Sequence, residues 1–257
     1  MISAVHVVPH GDELIDLPDA NARAMSSHVA RVLARDSAGT ALVMSPHSFR
    51  LSGRIGVSLN ERATGSYSTG RRRIRMSRRI DTGLARSISG LPDACSITFM
   101  TERGEKSIFP LDFGSMIPLR FMPARKIVVL TQARDLPRES LVMFGQNMGR
   151  LLDGADGAYS VIFSADQAHT HAADGPYGYS PEASIYEEAV RRAFISGDLA
   201  HLLDIDEETV QGAKPDSYWE LLVLHGLLKE LGLRIHYIYG YVAHYFGMML
   251  ASTAVEQ

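Results

Sequence analysis

The feature that most constrains the fold of this chain is an alternation of short apolar or β-branched runs with longer segments of helical periodicity. The runs that predict strands are residues 4–8, 41–44, 96–100, 126–130, 159–163 and 234–238. The periodic segments predict helices over residues 20–35, 80–89, 138–153, 182–196, 207–213 and 217–231. Such alternation is typical of α/β proteins. We predict a single domain over residues 1–257, with a central, largely parallel or mixed sheet flanked by helices on both faces.

Charge and composition exclude several classes of protein. The 257 residues are 46% hydrophobic and carry a formal net charge of −3, so no global positive field is available to hold a nucleic acid. The only cysteine, Cys95, cannot form an internal disulfide, and the first residues lack the basic start and apolar core of a signal peptide. No apolar run approaches the ~20 residues that cross a bilayer. We therefore predict a cytoplasmic protein that binds neither nucleic acid nor membrane.

Two segments are unusual in composition. Residues 64–79 contain the arginine-rich run 71–79 and are the least regular part of the chain. We interpret this run as a solvated face, with a rim that attracts acidic substrates as the alternative. Residues 236–249 are rich in aromatic side chains, which indicates core or a subunit contact. Because of this second segment, we expect a homo-oligomer, in the simplest case a dimer.

The most informative pattern is a histidine shortly after each of three predicted strands. His10 and His47 each follow a proline at the end of an apolar run, and His169 and His171 follow residues 159–163. In open α/β sheets, ligands bind beyond the carboxyl ends of the strands. If the three strands are parallel, these histidines converge on one site.

Converging imidazoles predict a metal site, since histidine is the commonest metal ligand and two histidines with one carboxylate leave positions open for other ligands. The spacing does not choose the carboxylate, and the candidates are Asp12, Asp112, Asp166, Asp216 and Glu220. Asp216 has a second interpretation, because it could instead be the N-cap of a helix that begins at Ser217.

Several short segments together resemble a known family. They are residues 8–12 (VPHGD), 45–47 (SPH), 112–119 (DFGSMIPL), 164–169 (SADQAH), 175–179 (GPYGY) and 213–216 (AKPD) followed by Trp219. In this order they resemble the class III extradiol ring-cleavage dioxygenases. This LigB-like superfamily also includes the Memo-like proteins.

The resemblance implies a non-haem Fe(II) enzyme that opens the ring of a catechol or an aminophenol with O2. Carried over to this sequence, it makes His10 and His47 metal ligands and His169 the acid/base. The third ligand falls near Asp216, where the family usually has glutamate, and Glu220 is the nearest alternative carboxylate. The small aromatic substrate and O2 are then the expected partners.

Other residues near these segments are candidates for substrate binding. Tyr177 and Tyr179 could stack on an aromatic ring or pack their own loop. His171 could orient the acid/base or lie in solvent, and His244 could line the pocket. Phe113 departs from the family, where many members have a histidine, so a hydrogen bond to substrate is lost there.

Two alternative functions remain open from the sequence. A Memo-like member would keep the fold and a metal-binding or protein-binding cleft without opening a ring. A Zn(II)-dependent hydrolase would use three ligands and an activated water. The cofactor is therefore predicted as Fe(II), with Zn(II) or no metal as the alternatives.

Overall fold

Eleven strands within residues 1–254, the part of the chain that the computed structural model describes, form one mixed sheet. The strands are β1 (Ile2–Val8), β2 (Thr40–Ser45), β3 (Ile55–Ser58), β4 (Arg62–Ser68), β5 (Arg73–Ile80), β6 (Ala94–Ile97), β7 (Phe109–Pro110), β8 (Lys126–Thr131), β9 (Tyr159–Ser164), β10 (His236–Ala243) and β11 (Phe246–Ser252). The α-helices in this span are α1 (Glu13–Asp16), α2 (Ala20–Ala34), α3 (Thr82–Ser89), α4 (Phe113–Leu119), α5 (Arg138–Asp153), α6 (Glu182–Ser196), α7 (Glu207–Ala213) and α8 (Tyr218–Leu231). A short 3-10 helix spans Leu199–Asp204.

The centre of the sheet is parallel. The strand order is β10-β11-β1-β9-β2-β8-β5-β4-β7, and β3 pairs with β6 and β8. Strands β1, β9, β2 and β8 run parallel to one another, whereas β11 and β10 add an antiparallel hairpin at one side. Every residue of β2 and of β9 is buried, so both faces of the sheet are covered. The predicted α/β class, with a mixed sheet flanked by helices, is confirmed.

The register brings the central strands to a common end. Val8 of β1 pairs with Ser164 of β9, and Ser45 of β2 pairs with Thr131 of β8. Between β2 and β9, Met44 pairs with Phe163, so Ser45 and Ser164 occupy neighbouring positions at the ends of their strands. The carboxyl ends of β1, β9, β2 and β8 therefore form one row at one edge of the sheet.

Four of the predicted strands and the six predicted helices match the structure to within a few residues. The strand predicted over residues 96–100 is wrong in extent, because β6 spans Ala94–Ile97. The strand predicted over residues 234–238 begins later and continues as β10, His236–Ala243. The helix-cap interpretation of Asp216 is also wrong, since α8 begins at Tyr218 and Ser217 occupies the cap position.

The arginine-rich segment is a regular hairpin, which corrects the expectation for residues 64–79. Strands β4 and β5 pair antiparallel over seven residue pairs, from Arg62–Arg79 to Ser68–Arg73. Met76 and Ile80 face the core, while most of the arginines are exposed. The run is thus a solvated face, as interpreted, but it is the outer face of a strand.

Helices α5 and α8 cross at two glycines. A Cβ added at Gly145 would lie 2.0 Å from the carbonyl oxygen of Val223, and one added at Gly226 would lie 1.9 Å from that of Val142. The helices approach this closely because neither glycine carries a side chain. No helix among the described residues combines the length and apolarity that a bilayer crossing requires.

Candidate metal centre

Three neighbouring strands each place a polar side chain two residues beyond their last residue. His10 follows β1, His47 follows β2 and Asp166 follows β9. Because these strands end in one row, the three side chains meet at the carboxyl edge of the sheet. Asp216 reaches the same edge from the turn between α7 and α8, where Lys214 has a left-handed backbone with φ of 50°.

Three of these side chains form a compact group of potential ligand atoms. The Nε2 atom of His10 lies 3.0 Å from Oδ2 of Asp216 and 3.0 Å from Nε2 of His47. The Nε2 atom of His47 lies 3.2 Å from the same Oδ2. Neighbouring ligand atoms lie about 3.0 Å apart when metal–ligand bonds of about 2.1 Å meet at right angles. The spacing and the donor set, two imidazoles and one carboxylate, therefore fit a divalent metal ion.

The tautomer of His10 also suits a metal ligand. The hydroxyl of Ser164 donates its one hydrogen to the carbonyl oxygen of Gly114. The same hydroxyl lies 3.0 Å from Nδ1 of His10, so it accepts a hydrogen bond from that atom. With its proton on Nδ1, the neutral ring keeps a lone pair on Nε2, which faces His47 and Asp216. Such an arrangement is typical of metal-ligating histidines.

The charges around this lone pair favour a cation. Burial lowers the pKa of His10, but the carboxylates of Asp166 and Asp216 outweigh this effect and raise it to about 9. Burial alone would raise the pKa of Asp216, yet His10 and His47 lower it, and its buried Oδ1 atom has no hydrogen-bond partner within residues 1–254. A proton or a metal ion would satisfy these atoms.

The N-terminus of α4 holds His47 in place. The carboxylate of Asp112 accepts hydrogen bonds from the backbone N–H of Ser115, at 2.8 Å, and from the hydroxyl of Ser45, at 2.7 Å. The Ser45 hydroxyl in turn accepts from the backbone N–H of His47, at 3.2 Å. A Cβ at Gly114 would come within 3.1 Å of the His47 ring. The DFGS segment thus positions a ligand and leaves room for it.

Two further carboxyl groups lie near the group of three. Asp166 accepts a hydrogen bond from the backbone N–H of His10, at 3.1 Å, and burial raises its pKa to about 7. Glu220 is fully buried, neither of its carboxyl oxygens has a hydrogen-bond partner within residues 1–254, and burial raises its pKa well above the usual range. The structure thus brings Asp216, and not Glu220, into contact with the two histidines.

His169 faces the group from the loop after β9. Its Nδ1 atom lies 2.8 Å from the carbonyl oxygen of Gln167 and donates to it, so Nε2 carries the lone pair. That Nε2 atom is 4.0 Å from Oδ2 of Asp216. The ring stacks on Phe246 with centroids 5.7 Å apart, and burial lowers its pKa. A neutral imidazole held in this way can accept a proton at Nε2.

Two cavities adjoin these residues, and both are lined by His47, His169 and Tyr177. The small cavity, of about 310 Å³, is further lined by His10, Gly11, Asp12, Glu13, Tyr67, Phe113, Asp166, Tyr245 and Phe246. The large cavity, of about 500 Å³, is further lined by Pro46, Arg50, Arg134, Glu207, Val210, Gln211, Lys214, Pro215, Asp216 and Trp219. The candidate metal ligands therefore lie between two spaces that could hold a substrate.

Only one of the four residues expected to bind substrate lines these cavities. Tyr177 lines both of them and has an edge-to-face contact with His169. Tyr179 is exposed, His171 lies 3.5 Å from the Glu187 carboxylate, and His244 pairs with Asp174 at 3.0 Å. These last three residues contribute to neither cavity wall.

Sequence reasoning did not single out Arg134 and Ser164. Arg134 lines the large cavity, and Ser164 contacts His10. The signal for both was available, because each lies at or just beyond the carboxyl end of a predicted strand.

Comparisons with known proteins identify the family of the chain. A family model described as the catalytic LigB subunit of aromatic ring-opening dioxygenase matches residues 10–249. A Clostridium acetobutylicum protein, Protein CA_C1420, is 26% identical over an alignment of 212 residues, and the match covers 78% of this chain and 45% of that protein. This chain thus spans less than half the length of the curated relative.

The fold has a match among solved structures. The crystal structure of the uncharacterized protein JW3007 from Escherichia coli K12 superposes with a TM-score of 0.66 at 17% identity, covering 97% of this chain and 99% of that one. This likeness is one of fold. The family match spans nearly the whole sequence and includes the segments that carry His10, His47, His169 and Asp216. The chain belongs to the LigB family, that of the catalytic subunits of aromatic ring-opening dioxygenases.

Proposed function

We propose that this protein is a non-haem Fe(II)-dependent extradiol dioxygenase that opens the ring of a catechol or an aminophenol. The observation that carries the proposal is the group formed by His10, His47 and Asp216, whose ligand atoms are 3.0–3.2 Å apart and face open cavities. Two histidines and one carboxylate with open positions are typical of Fe(II) oxygenases. Family membership supports the same class of reaction.

In this proposal His10, His47 and Asp216 hold the metal. Fe(II), when bound, supplies the redox chemistry with O2 that amino-acid side chains do not supply. Ser164 keeps a proton on Nδ1 of His10 and so leaves Nε2 as the ligand atom. Asp112 and Ser45 fix the backbone that carries His47.

His169 has the position and the tautomer of an acid/base group. Its Nε2 lone pair points to the space beside Asp216, where a hydroxyl group of the substrate would lie, and it can take that proton and return it later. The lowered pKa keeps the imidazole neutral at neutral pH, so it is ready to accept a proton. Stacking on Phe246 fixes the ring plane.

Aromatic side chains provide a surface for the substrate ring. Phe113 stacks on Tyr67 with centroids 5.0 Å apart and lies against the His47 ring, with centroids 4.2 Å apart. Tyr245 and Phe246 also line the small cavity, with ring centroids 5.0 Å apart. An aromatic substrate would gain contact area here and exclude water from the metal centre. Phe113 contributes packing where a histidine would contribute a hydrogen bond.

The test is to load the protein with Fe(II) without oxygen and to follow oxygen uptake on a panel of catechols, dihydroxybenzoates and aminophenols. We expect uptake with a yellow ring-opened product. His169→Ala should lower turnover by about 10²–10⁴-fold while metal remains bound. Iron bound at one ion per chain without uptake on any compound would contradict the proposal. So would zinc as the native metal, because zinc has no redox chemistry.

A further inference from the structure

The outer face of the β4–β5 hairpin carries only arginine and hydroxyl side chains. The two strands pair antiparallel, so the outward positions of one strand lie opposite those of the other, and all eight of these side chains are exposed. The cross-strand pairs are Arg62–Arg79, Thr64–Ser77, Ser66–Arg75 and Ser68–Arg73. We call these eight residues the arginine face. Each of its side chains can donate a hydrogen bond, and none is a carboxylate.

Positive charge is concentrated in this hairpin. Residues 62–79 contain seven arginines and no lysine, histidine, aspartate or glutamate, so their formal net charge is +7. The whole chain carries −3, and the remaining residues together therefore carry −10. The ion pairs of arginine and lysine side chains within residues 1–254 include none of these seven arginines. The described part of the chain thus offers them no carboxylate partner.

Like charges also lie next to one another on this hairpin. Arg62 is directly opposite Arg79, and like charges in opposing positions destabilise a pair of strands. Arg72 lies in the turn between the strands, and Arg120 follows α4 directly. Burial and the charge of Arg72 lower the pKa of Arg120. An anion bound at the hairpin would relieve this repulsion.

A shallow groove of about 470 Å³ crosses both strands of the hairpin. It is lined by Thr64, Gly65, Ser66, Arg75, Met76 and Ser77. The hydroxyls of Thr64 and Ser77 lie 3.2 Å apart, and Nη1 of Arg62 donates to the Ser77 hydroxyl, also at 3.2 Å. A guanidinium beside hydroxyl groups suits a carboxylate, which accepts several hydrogen bonds.

We propose that the arginine face binds a short acidic segment of a partner protein. Alternate side chains of an extended segment project to the same side about 6.8 Å apart, which is also the spacing of Arg73 and Arg75 along β5. Carboxylates on alternate residues of the partner therefore match the arginines on alternate residues of the strand. The inference concerns a surface outside both cavities of the metal centre and does not depend on ring cleavage.

The chemistry of the face disfavours other large anions. The bases of a single-stranded nucleic acid stack on aromatic rings, and the eight residues of the arginine face include none. Helices that bind a bilayer surface bury apolar side chains in it, whereas the large apolar side chains exposed within residues 1–254 all lie outside this hairpin. A long polyanion or a bilayer would also extend beyond the face and meet the net negative charge of the remaining residues.

The experiment uses a labelled peptide in which glutamate alternates with serine, and a neutral counterpart with glutamine in place of glutamate. Dissociation constants are measured by fluorescence anisotropy on the full chain at low ionic strength. Arg73→Gln/Arg75→Gln removes two charges from the arginine face. The matched control, Arg86→Gln/Arg103→Gln, removes two exposed arginines elsewhere. A single-stranded oligonucleotide and vesicles that contain phosphatidylserine are titrated in parallel.

We expect the native chain to bind the glutamate peptide more tightly than the glutamine peptide, with an affinity that falls as salt is added. Arg73→Gln/Arg75→Gln should raise the dissociation constant about tenfold, and the control should change it by less than about twofold. Equal affinities for the two peptides, or an equal loss in both double variants, would overturn the proposal. Tighter binding of the oligonucleotide or the vesicles, lost with Arg73 and Arg75, would also overturn it, because the face would then serve another class of partner.

Discussion

The proton on His10 is placed by one hydroxyl group, that of Ser164. This hydroxyl donates to Gly114 and accepts from Nδ1 of His10, so the lone pair of the ring remains on Nε2. The partner on the far side of a histidine ligand commonly determines its tautomer and its basicity. The same arrangement ties β9, α4 and the loop after β1 to one atom.

Ser164→Ala should therefore weaken metal binding without removing a ligand. We expect an increase in the Fe(II) dissociation constant of about 10–100-fold, measured by competition with a chelator. Ser58→Ala is the matched control, because Ser58 is also a buried strand serine and its hydroxyl has no hydrogen-bond partner within residues 1–254. If both substitutions raised the Fe(II) dissociation constant equally, the cause would be lost packing and not the lost control of the His10 tautomer.

The strand pattern predicts the histidines but does not choose the carboxylate, for which the family resemblance indicated Asp216, with Glu220 as the alternative. A proline and a histidine directly after an apolar run indicate a loop residue at the end of a strand, which is enough to place His10 and His47 at one edge. Asp216 reaches that edge from a turn between two helices, so its position depends on how those helices pack. The position of Ser164 at the end of a predicted strand places it at this edge but does not reveal its role, which depends on the carbonyl oxygen of Gly114, fifty residues away.

At the scale of elements, the crossing of α5 and α8 supports the candidate metal site, because α8 begins two residues after Asp216. Gly226→Ala should destabilise the protein strongly, since the added Cβ would lie 1.9 Å from the carbonyl oxygen of Val142. Overpacking of this kind costs about 1–3 kcal/mol, or more when backbone must move. The free energy of unfolding in urea measures the effect.

Gly83→Ala is the control for that experiment. Gly83 is exposed in α3, and its added Cβ would meet nothing closer than 3.7 Å. Alanine favours a helix by about 1 kcal/mol over glycine, so this variant should be unchanged or slightly more stable. Equal stability of Gly226→Ala and Gly83→Ala would contradict the close approach of α5 and α8 at Gly226.

The hairpin of β4 and β5 shows why some elements were missed. Ile74, Met76 and Ile80 recur at even spacing, which is the signal of a strand with one buried face. The arginines between them obscured this pattern, because a charge run without a partner strand in view resembles a loop. The pairing of β5 with β4 and its parallel contact with β8 become visible only in the folded structure.

Across the whole molecule, a second buried polar network joins strands of the sheet. His6 donates to the Asp36 carboxylate at 2.9 Å and accepts from the hydroxyl of Ser252 at 2.9 Å. The Asp36 carboxylate also accepts from Ser160 and from the backbone N–H of Ala38. The network thus joins β1, β9 and β11 to the loop after α2.

The stability of the molecule should depend on pH through Asp36. Burial raises the pKa of this carboxyl, but hydrogen bonds from His6 and Ser160 outweigh burial and lower it. A carboxylate with a lowered pKa stabilises the folded state above its unfolded pKa of about 3.9, and that stabilisation is lost as pH falls through the lower folded value.

Asp36→Asn should therefore lower the free energy of unfolding by about 1–3 kcal/mol at neutral pH. The reason is that the NH2 group of asparagine is a donor and would face groups that donate to the Asp36 carboxylate in the native protein. The difference in the free energy of unfolding between this variant and the native chain, measured in urea, should become smaller below about pH 4. Asp174→Asn, which changes an exposed pair with His244, should have little effect at any pH. A deficit that stays constant between pH 3 and pH 7 would contradict the role given to Asp36.

The most direct test of the metal centre is Fe(II) stoichiometry, measured by anaerobic titration and elemental analysis. Five chains are compared: native, His47→Ala, Asp216→Ala, Glu220→Gln and His169→Ala. We predict one tightly bound ion per chain in the native protein, in Glu220→Gln and in His169→Ala, and loss of tight binding in His47→Ala and Asp216→Ala. Stoichiometric iron in His47→Ala, or its loss in Glu220→Gln with Asp216→Ala unaffected, would contradict the assignment.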